Sequence, residues 1–234
     1  HDEVVHGKCS LIIRQPGDNW RQFAGLRALA FYQMTHPGAK LNFMGNEIGQ
    51  FIEWRYYEGL EFFLVDRFEA HAKHQQFIAE LNRFYKETRA LWEISYTSEG
   101  FEWIDADNRA QSVLTYIRHA KYKKDDVVVL VNMDINAHED FRMGVPRSGI
   151  YEEIFNTDDQ RFGGSGVCNG AALTSEAVPW NGLKDSVVVR VPPLAGIVLK
   201  RTAPLPPKKP AAKKAVGKKP VDKTPVRTSK RTSK

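Results

Sequence analysis

The strongest constraint on the fold is a change in hydrophobic period near residue 96. Before it, apolar residues recur at steps of three and four in two long stretches, NWRQFAGLRALAFYQM and AHAKHQQFIAELNRFYKETRALWEI. This spacing predicts two amphipathic helices, the first with Asp18 or Asn19 as its N-cap. After it, short β-rich runs recur about every 12 to 20 residues. The chain is therefore expected to have a helical part followed by an all-β part.

The second half is predicted to form an antiparallel β-sandwich over residues 97–201. Its strand-like runs are separated by turn residues, as such a sandwich requires. The runs are FEWIDA, SVLTYIRHA, DVVVLVNM, HEDFRMGV, IYEEIFNT and SVVVRVPPLAGIVLKR. The glycine-rich FGGSGVCNG lacks the strand–helix context of a phosphate-binding loop, so we interpret it as an ordinary loop.

The first half, residues 1–96, is typical of the end of a β/α barrel. Between the two helices, AKLNFMGNE predicts a short buried strand that delivers Glu47 into a loop, with Gly45 and Gly49 serving the backbone conformation. The order loop, helix, strand, loop, helix suits the last units of such a barrel. The predicted fold class is α/β plus all-β: the C-terminal end of a TIM (β/α)8 barrel followed by an antiparallel β-sandwich.

A basic tail is predicted over residues 202–234. From Ala203 onward the formal charge is +10, so the total of +6 leaves −4 for the rest of the chain. The Lys-, Pro- and Ala-rich composition cannot bury a core and predicts disorder. Nonspecific contact with polyanions and a purely solubilising role both remain open.

Several classes of protein are disfavoured. No run of 18 apolar residues and no signal-peptide pattern is present, which predicts neither a membrane span nor secretion and makes the cytoplasm the expected compartment. Cys9 and Cys168 lack metal-ligand spacing, so we expect reduced thiols, no metal site and no cofactor. His71 and His74 lie three residues apart on the second helix, without an acidic third ligand, and are expected to face solvent.

The motifs occur in a recognisable order. HDEVVHGK, QPGDNW, KLNFMGNEIGQFIEW, GFEWI, NTDDQRFGGSG and PPLA follow one another along residues 1–200. In these motifs and their order, the sequence resembles the C-terminal part of bacterial 1,4-α-glucan (glycogen) branching enzymes of the α-amylase superfamily. The resemblance implies α-glucans such as glycogen and amylose as partners.

The resemblance also implies roles for individual residues. Asp2 would be the carboxylate that stabilises the transition state, and His1 would hydrogen-bond the sugar. A glycosyl transition state carries oxocarbenium character, which a nearby carboxylate stabilises. Glu47 would face the same substrate cleft, although a structural acid bonded to its own loop fits equally well. Trp54, Tyr56 and Tyr57 could stack on sugars, but core packing is favoured.

Two catalytic groups of the family are not found in this sequence. The resemblance implies a nucleophile and an acid/base that follow the fourth and fifth barrel strands, so we expect the chain to be truncated and inactive alone. A fragment of a related α-amylase-family hydrolase or trehalose-forming enzyme is one alternative. A β-module that only binds carbohydrate is another.

Overall fold

The computed structural model describes residues 2–170 and 172–206, and three α-helices precede eight strands in that part of the chain. The helices are α1 (Asn19–Thr35), α2 (Phe63–Arg67) and α3 (Glu69–Glu87). The strands are β1 (Phe101–Asn108), β2 (Val113–Arg118), β3 (Val127–Asn132), β4 (His138–Val145), β5 (Ile150–Asn156), β6 (Leu173–Thr174), β7 (Asp185–Val191) and β8 (Ala195–Ala203).

The two long helices are confirmed. The Asp18 side chain accepts a hydrogen bond from the backbone N–H of Arg21 at 2.9 Å, which satisfies one of the free donors at the start of α1. The helix ends at Thr35, because Pro37 disfavours helical geometry in the residue before it. α3 ends at Glu87, seven residues before the end of the predicted stretch at Ile94, and a 3-10 turn over Arg89–Leu91 follows it.

The β part is an antiparallel domain of two packed sheets. One sheet has the order β1-β2-β3-β8-β5-β6, and the other pairs β4 with β7. Every predicted β run contains a strand, and the last run divides into β7 and β8 around its Pro-Pro-Leu segment. The core between the sheets is made of inward-facing aliphatic and aromatic side chains, among them Val113, Leu130, Met143, Val189 and Ile197.

The helices cover the other face of the six-stranded sheet. Phe31 of α1 and Phe77 of α3 belong to one buried cluster with Tyr116, Val129 and Phe155 of the sheet. Burial on this scale contributes about 1.5–3 kcal/mol for each large apolar side chain. This cluster contains residues from both sides of the predicted domain boundary at 96/97. The boundary therefore stays a prediction.

The predicted strand in AKLNFMGNE is wrong. No strand is assigned over residues 39–47, and the side chains of Leu41 and Met44 are 65% and 53% exposed. A parallel barrel strand is held by hydrogen bonds to neighbouring strands. No described strand pairs with this segment, so its apolar residues follow the pattern of a strand but lack the hydrogen-bonded partner that a strand needs.

The β domain extends slightly past its predicted end. β8 continues to Ala203, two residues beyond the predicted limit of the sandwich, and the predicted tail from residue 207 onward lies outside the described residues. None of the helices within residues 2–170 and 172–206 combines the length and apolar character needed to cross a bilayer.

Candidate functional site

The segment 2–9, which we call the opening loop, is a series of tight turns. Its backbone has positive φ at His6, Gly7 and Cys9. The Lys8 ammonium donates to the carbonyl oxygen of Asp2 at 2.8 Å. The Asp2 side chain is exposed at the surface. The Lys8 bond to the Asp2 carbonyl oxygen holds the backbone of the loop.

Glu53 fastens the opening loop to the segment 45–54, which we call the second loop. Its carboxylate accepts from the backbone N–H of Gly7 at 2.8 and 2.9 Å and from that of Cys9 at 3.2 Å. These donors, Gly7 foremost, lower the pKa of Glu53. The hydroxyl of Ser10 adds a bond to the Phe51 carbonyl at 2.8 Å. The two loops therefore form one unit.

Sequence reasoning missed this role of Glu53. Its partners lie 44 and 46 residues away and are backbone groups, which leave no trace in a sequence pattern. The available signal was its place in the motif KLNFMGNEIGQFIEW, six residues after Glu47.

Glu47 lies on a 3-10 turn, Asn46–Ile48, bounded by two glycines with left-handed backbone. Gly45 has φ +86° and Gly49 has φ +63°, which confirms their predicted conformational role. A Cβ atom at Gly49 would lie 2.9 Å from the ring of Phe23. The turn is thus packed tightly against α1, with the Glu47 side chain partly exposed.

The expectation that His71 and His74 face solvent is wrong. They are only 2% and 0% exposed, and they lie on the same helix face as Phe77 and Leu81. His71 Nδ1 donates to the Ile48 carbonyl at 2.8 Å, and His74 Nε2 donates to the Asn46 carbonyl at 2.9 Å. A carbonyl oxygen can only accept, so each of these ring nitrogens carries the proton.

The two histidines therefore hold the turn that carries Glu47. Burial lowers the pKa of His74 to about 4, so its ring is neutral near pH 7. The signal in the sequence was the step of three residues from His71 to His74 and again to Phe77, which continues the buried stripe of α3. Side chains at such steps share a helix face.

A cavity of about 280 Å³ lies between the two loops and the helices. Glu3 and Val4 of the opening loop line it together with Asn46, next to Glu47, and His74. Glu3, which follows Asp2 in the chain, and Asn46, which precedes Glu47, therefore line the same cavity. Its walls are mainly apolar, and within residues 2–170 and 172–206 no cluster of His, Cys, Asp and Glu is arranged to hold a metal ion.

The neighbouring aromatic residues differ in burial. Tyr56 and Tyr57 are 84% and 65% exposed, so the expectation of core packing is wrong for both. Trp54 is half-buried, with its ring 5.6 Å from that of Phe43 in an edge-to-face contact. His1 lies outside the described residues.

Comparison with known proteins finds similar sequences for most of the chain. Residues 103–202 match the family model of the alpha amylase C-terminal all-beta domain. The 1,4-alpha-glucan branching enzyme of Clostridium perfringens (strain ATCC 13124) is 46% identical over 201 residues, which are 86% of this chain. The chain is homologous to the C-terminal region of 1,4-alpha-glucan branching enzymes. That of Francisella tularensis subsp. novicida is 44% identical, also over 86% of the chain.

The homologous region is part of a longer protein in these branching enzymes. The chain spans 30% of the length of the C. perfringens enzyme and 31% of the F. tularensis enzyme. Among solved structures, a debranching enzyme from Nostoc punctiforme aligns with a TM-score of 0.54, covering 84% of this chain and 34% of that one. At 13% identity, this alignment shows a common fold only.

Proposed function

We propose that the chain is the C-terminal portion of a 1,4-α-glucan branching enzyme, which transfers an α-1,4-glucan segment to a 6-hydroxyl and forms an α-1,6 branch in glycogen. The observation that carries this proposal is the identity of 44–46% to branching enzymes over 86% of the chain. The fastening of the opening loop to the second loop by Glu53 supports it, because both segments belong to motifs that resemble the family's.

Asp2 is the carboxylate that stabilises positive charge on the sugar at the transition state, and His1 hydrogen-bonds that sugar. Glu47 lines the same cleft on the turn held by His71 and His74. A retaining transfer needs two displacements, in which a nucleophile first takes the glucan and an acid/base then activates the accepting hydroxyl. In this proposal those two groups belong to barrel strands outside this sequence, and residues 1–96 are the end of that (β/α)8 barrel.

We also propose a cellular compartment for the enzyme and a separate role for its tail. We place the enzyme in the cytoplasm, with glycogen and amylose as its glucans. The tail from residue 207 onward would add nonspecific contact with polyanions through its lysines, an attraction that weakens as salt is added.

A chimeric enzyme tests the proposal. Residues 1–206 would replace the homologous segment of the C. perfringens branching enzyme, of which this chain spans 30%. We expect the chimera to form α-1,6 linkages in amylose, counted by their anomeric proton signals, and to shift the iodine absorption of amylose to shorter wavelength. A soluble, folded chimera that leaves the iodine spectrum unchanged would contradict the proposal, as would hydrolysis without branches.

A further inference from the structure

Trp180 lies on a rigid turn of the β domain, far along the chain from the opening loop. Trp180 and Leu183 exchange two backbone hydrogen bonds, at 3.0 and 2.9 Å, around the two residues between them. Asn181 and Gly182 have φ of +47° and +77°, as a two-residue hairpin turn of type I′ requires. The Trp180 side chain is nevertheless 46% exposed.

The turn is fixed to both sheets. The Asn181 side chain accepts from the backbone N–H of Gly144 in β4 at 3.1 Å and donates to the carboxylate of Asp105 in β1 at 3.2 Å. A Cβ atom at Gly144 would lie 2.6 Å from the Trp180 carbonyl oxygen, so the backbones are in close contact. The exposed indole is therefore held on a rigid support, which reduces the entropy lost when a ligand binds.

A cleft of about 340 Å³ opens beside this indole. Its other walls carry polar side chains from β1, from the turn that follows it and from β4, namely Asp105, Asn108, Gln111, Asp140 and Arg142. The Asn108 amide donates to the Gln111 side-chain oxygen at 2.9 Å, which sets the orientation of both groups. The flat apolar face of the Trp180 indole therefore borders oriented hydrogen-bonding groups, some neutral, some negatively charged and one positively charged.

We propose that this cleft binds glucose units of an α-1,4-glucan, at a site separate from the one that contains Asp2. The apolar face of a glucose ring would stack on the indole of Trp180, and its hydroxyls would bond the Asn108 and Gln111 amides and the Asp140 carboxylate. Ligand sites in proteins commonly combine apolar surface with a few oriented polar groups in this way.

The charge around the cleft disfavours an anionic ligand. Two carboxylates and one guanidinium line it, and the Arg142 guanidinium is already paired with Glu176 at 2.7 Å, so a phosphorylated ligand would meet net negative charge. The choice of α-1,4-glucan among neutral ligands rests on the proposed function. A second attachment point raises the effective concentration of a polymer at the first.

The test uses the full chain and maltoheptaose. The five tryptophans give five indole N–H signals in a ¹H–¹⁵N spectrum, and Trp180→Phe assigns that of Trp180. We expect maltoheptaose at millimolar concentration to shift the Trp180 indole signal and the side-chain amide signals of Asn108 and Gln111 together. Unshifted signals at 20-fold higher concentration would overturn the proposal.

Matched variants separate this site from any other on the chain. Trp180→Ala should weaken the saturable shift of the Asn108 amide at least tenfold, whereas Trp92→Ala, which removes an indole that is 42% exposed, should leave it unchanged. Equal shifts in the wild type and Trp180→Ala would reject stacking on Trp180. The branching assay of the chimera is independent of this titration, so failure of one proposal is distinguishable from failure of the other.

Discussion

Asp2→Ala in the chimeric enzyme should lower the rate of branching by about 10²- to 10³-fold. The physical reason is electrostatic. Removing one group that stabilises the charge developing in the transition state typically lowers the rate by about this factor. The fold should be retained, because the Asp2 side chain is exposed and the opening loop is held by Glu53 through its backbone.

The measurement is the initial rate of α-1,6 linkage formation, with the urea midpoint as a check on folding. Asp107→Ala is the matched control, since Asp107 is an exposed carboxylate of β1 paired with Arg109. Its rate should stay within about twofold of the unmodified chimera, because exposed ion pairs contribute little. A loss of less than tenfold in Asp2→Ala would remove Asp2 from the proposed mechanism.

Arg118→Met should lower the free energy of unfolding of the chain by about 3–5 kcal/mol. Arg118 is fully buried in β2, and its guanidinium donates to the carbonyls of Thr35 at 2.5 Å, Leu91 at 3.2 Å and Gly100 at 3.2 Å, and to the Ser95 hydroxyl at 3.2 Å. Each buried acceptor left without a donor costs about 1–3 kcal/mol.

These contacts join the helical part to the β part. Thr35 is the last residue of α1, and Leu91 ends the 3-10 turn after α3. Carbonyl oxygens at the end of a helix have no hydrogen-bond donor within the helix, and Arg118 supplies that donor. The cation also lies at the negative end of the α1 dipole. Burial lowers the pKa of Arg118, which reflects the cost of placing a charge there.

Urea unfolding followed by circular dichroism measures this effect. Arg109→Met removes an arginine that is 89% exposed and should cost less than about 0.5 kcal/mol. If Arg118→Met and Arg109→Met destabilised the chain equally, the guanidinium of Arg118 could not be what fastens the helices to the sheet.

The sequence predicted the elements whose pattern is local. α1, α3 and the strands of the β domain follow from apolar periodicity, and Asp18 follows from N-cap chemistry. The left-handed backbone at Gly45 and Gly49 was also predictable, because glycine adopts positive φ without the steric cost that a Cβ atom imposes.

The remaining features depend on contacts that are distant in sequence. The segment AKLNFMGNE has the composition of a strand, but a strand also needs a partner. His71 and His74 looked like solvent-facing polar residues because their acceptors are carbonyls 23 and 28 residues away. Arg118 serves acceptors up to 83 residues distant, and no spacing rule connects them.

The central claim is that this chain supplies one part of a branching site, with Asp2, while the nucleophile and the acid/base lie outside its sequence. The most direct test is to incubate purified residues 1–234 with amylose and to count α-1,6 linkages by the anomeric proton signals. We predict none above the blank, with the chimera as the positive control. α-1,6 linkages formed by the purified chain, free of host enzyme, would mean that all the catalytic carboxylates lie within it and would contradict this claim.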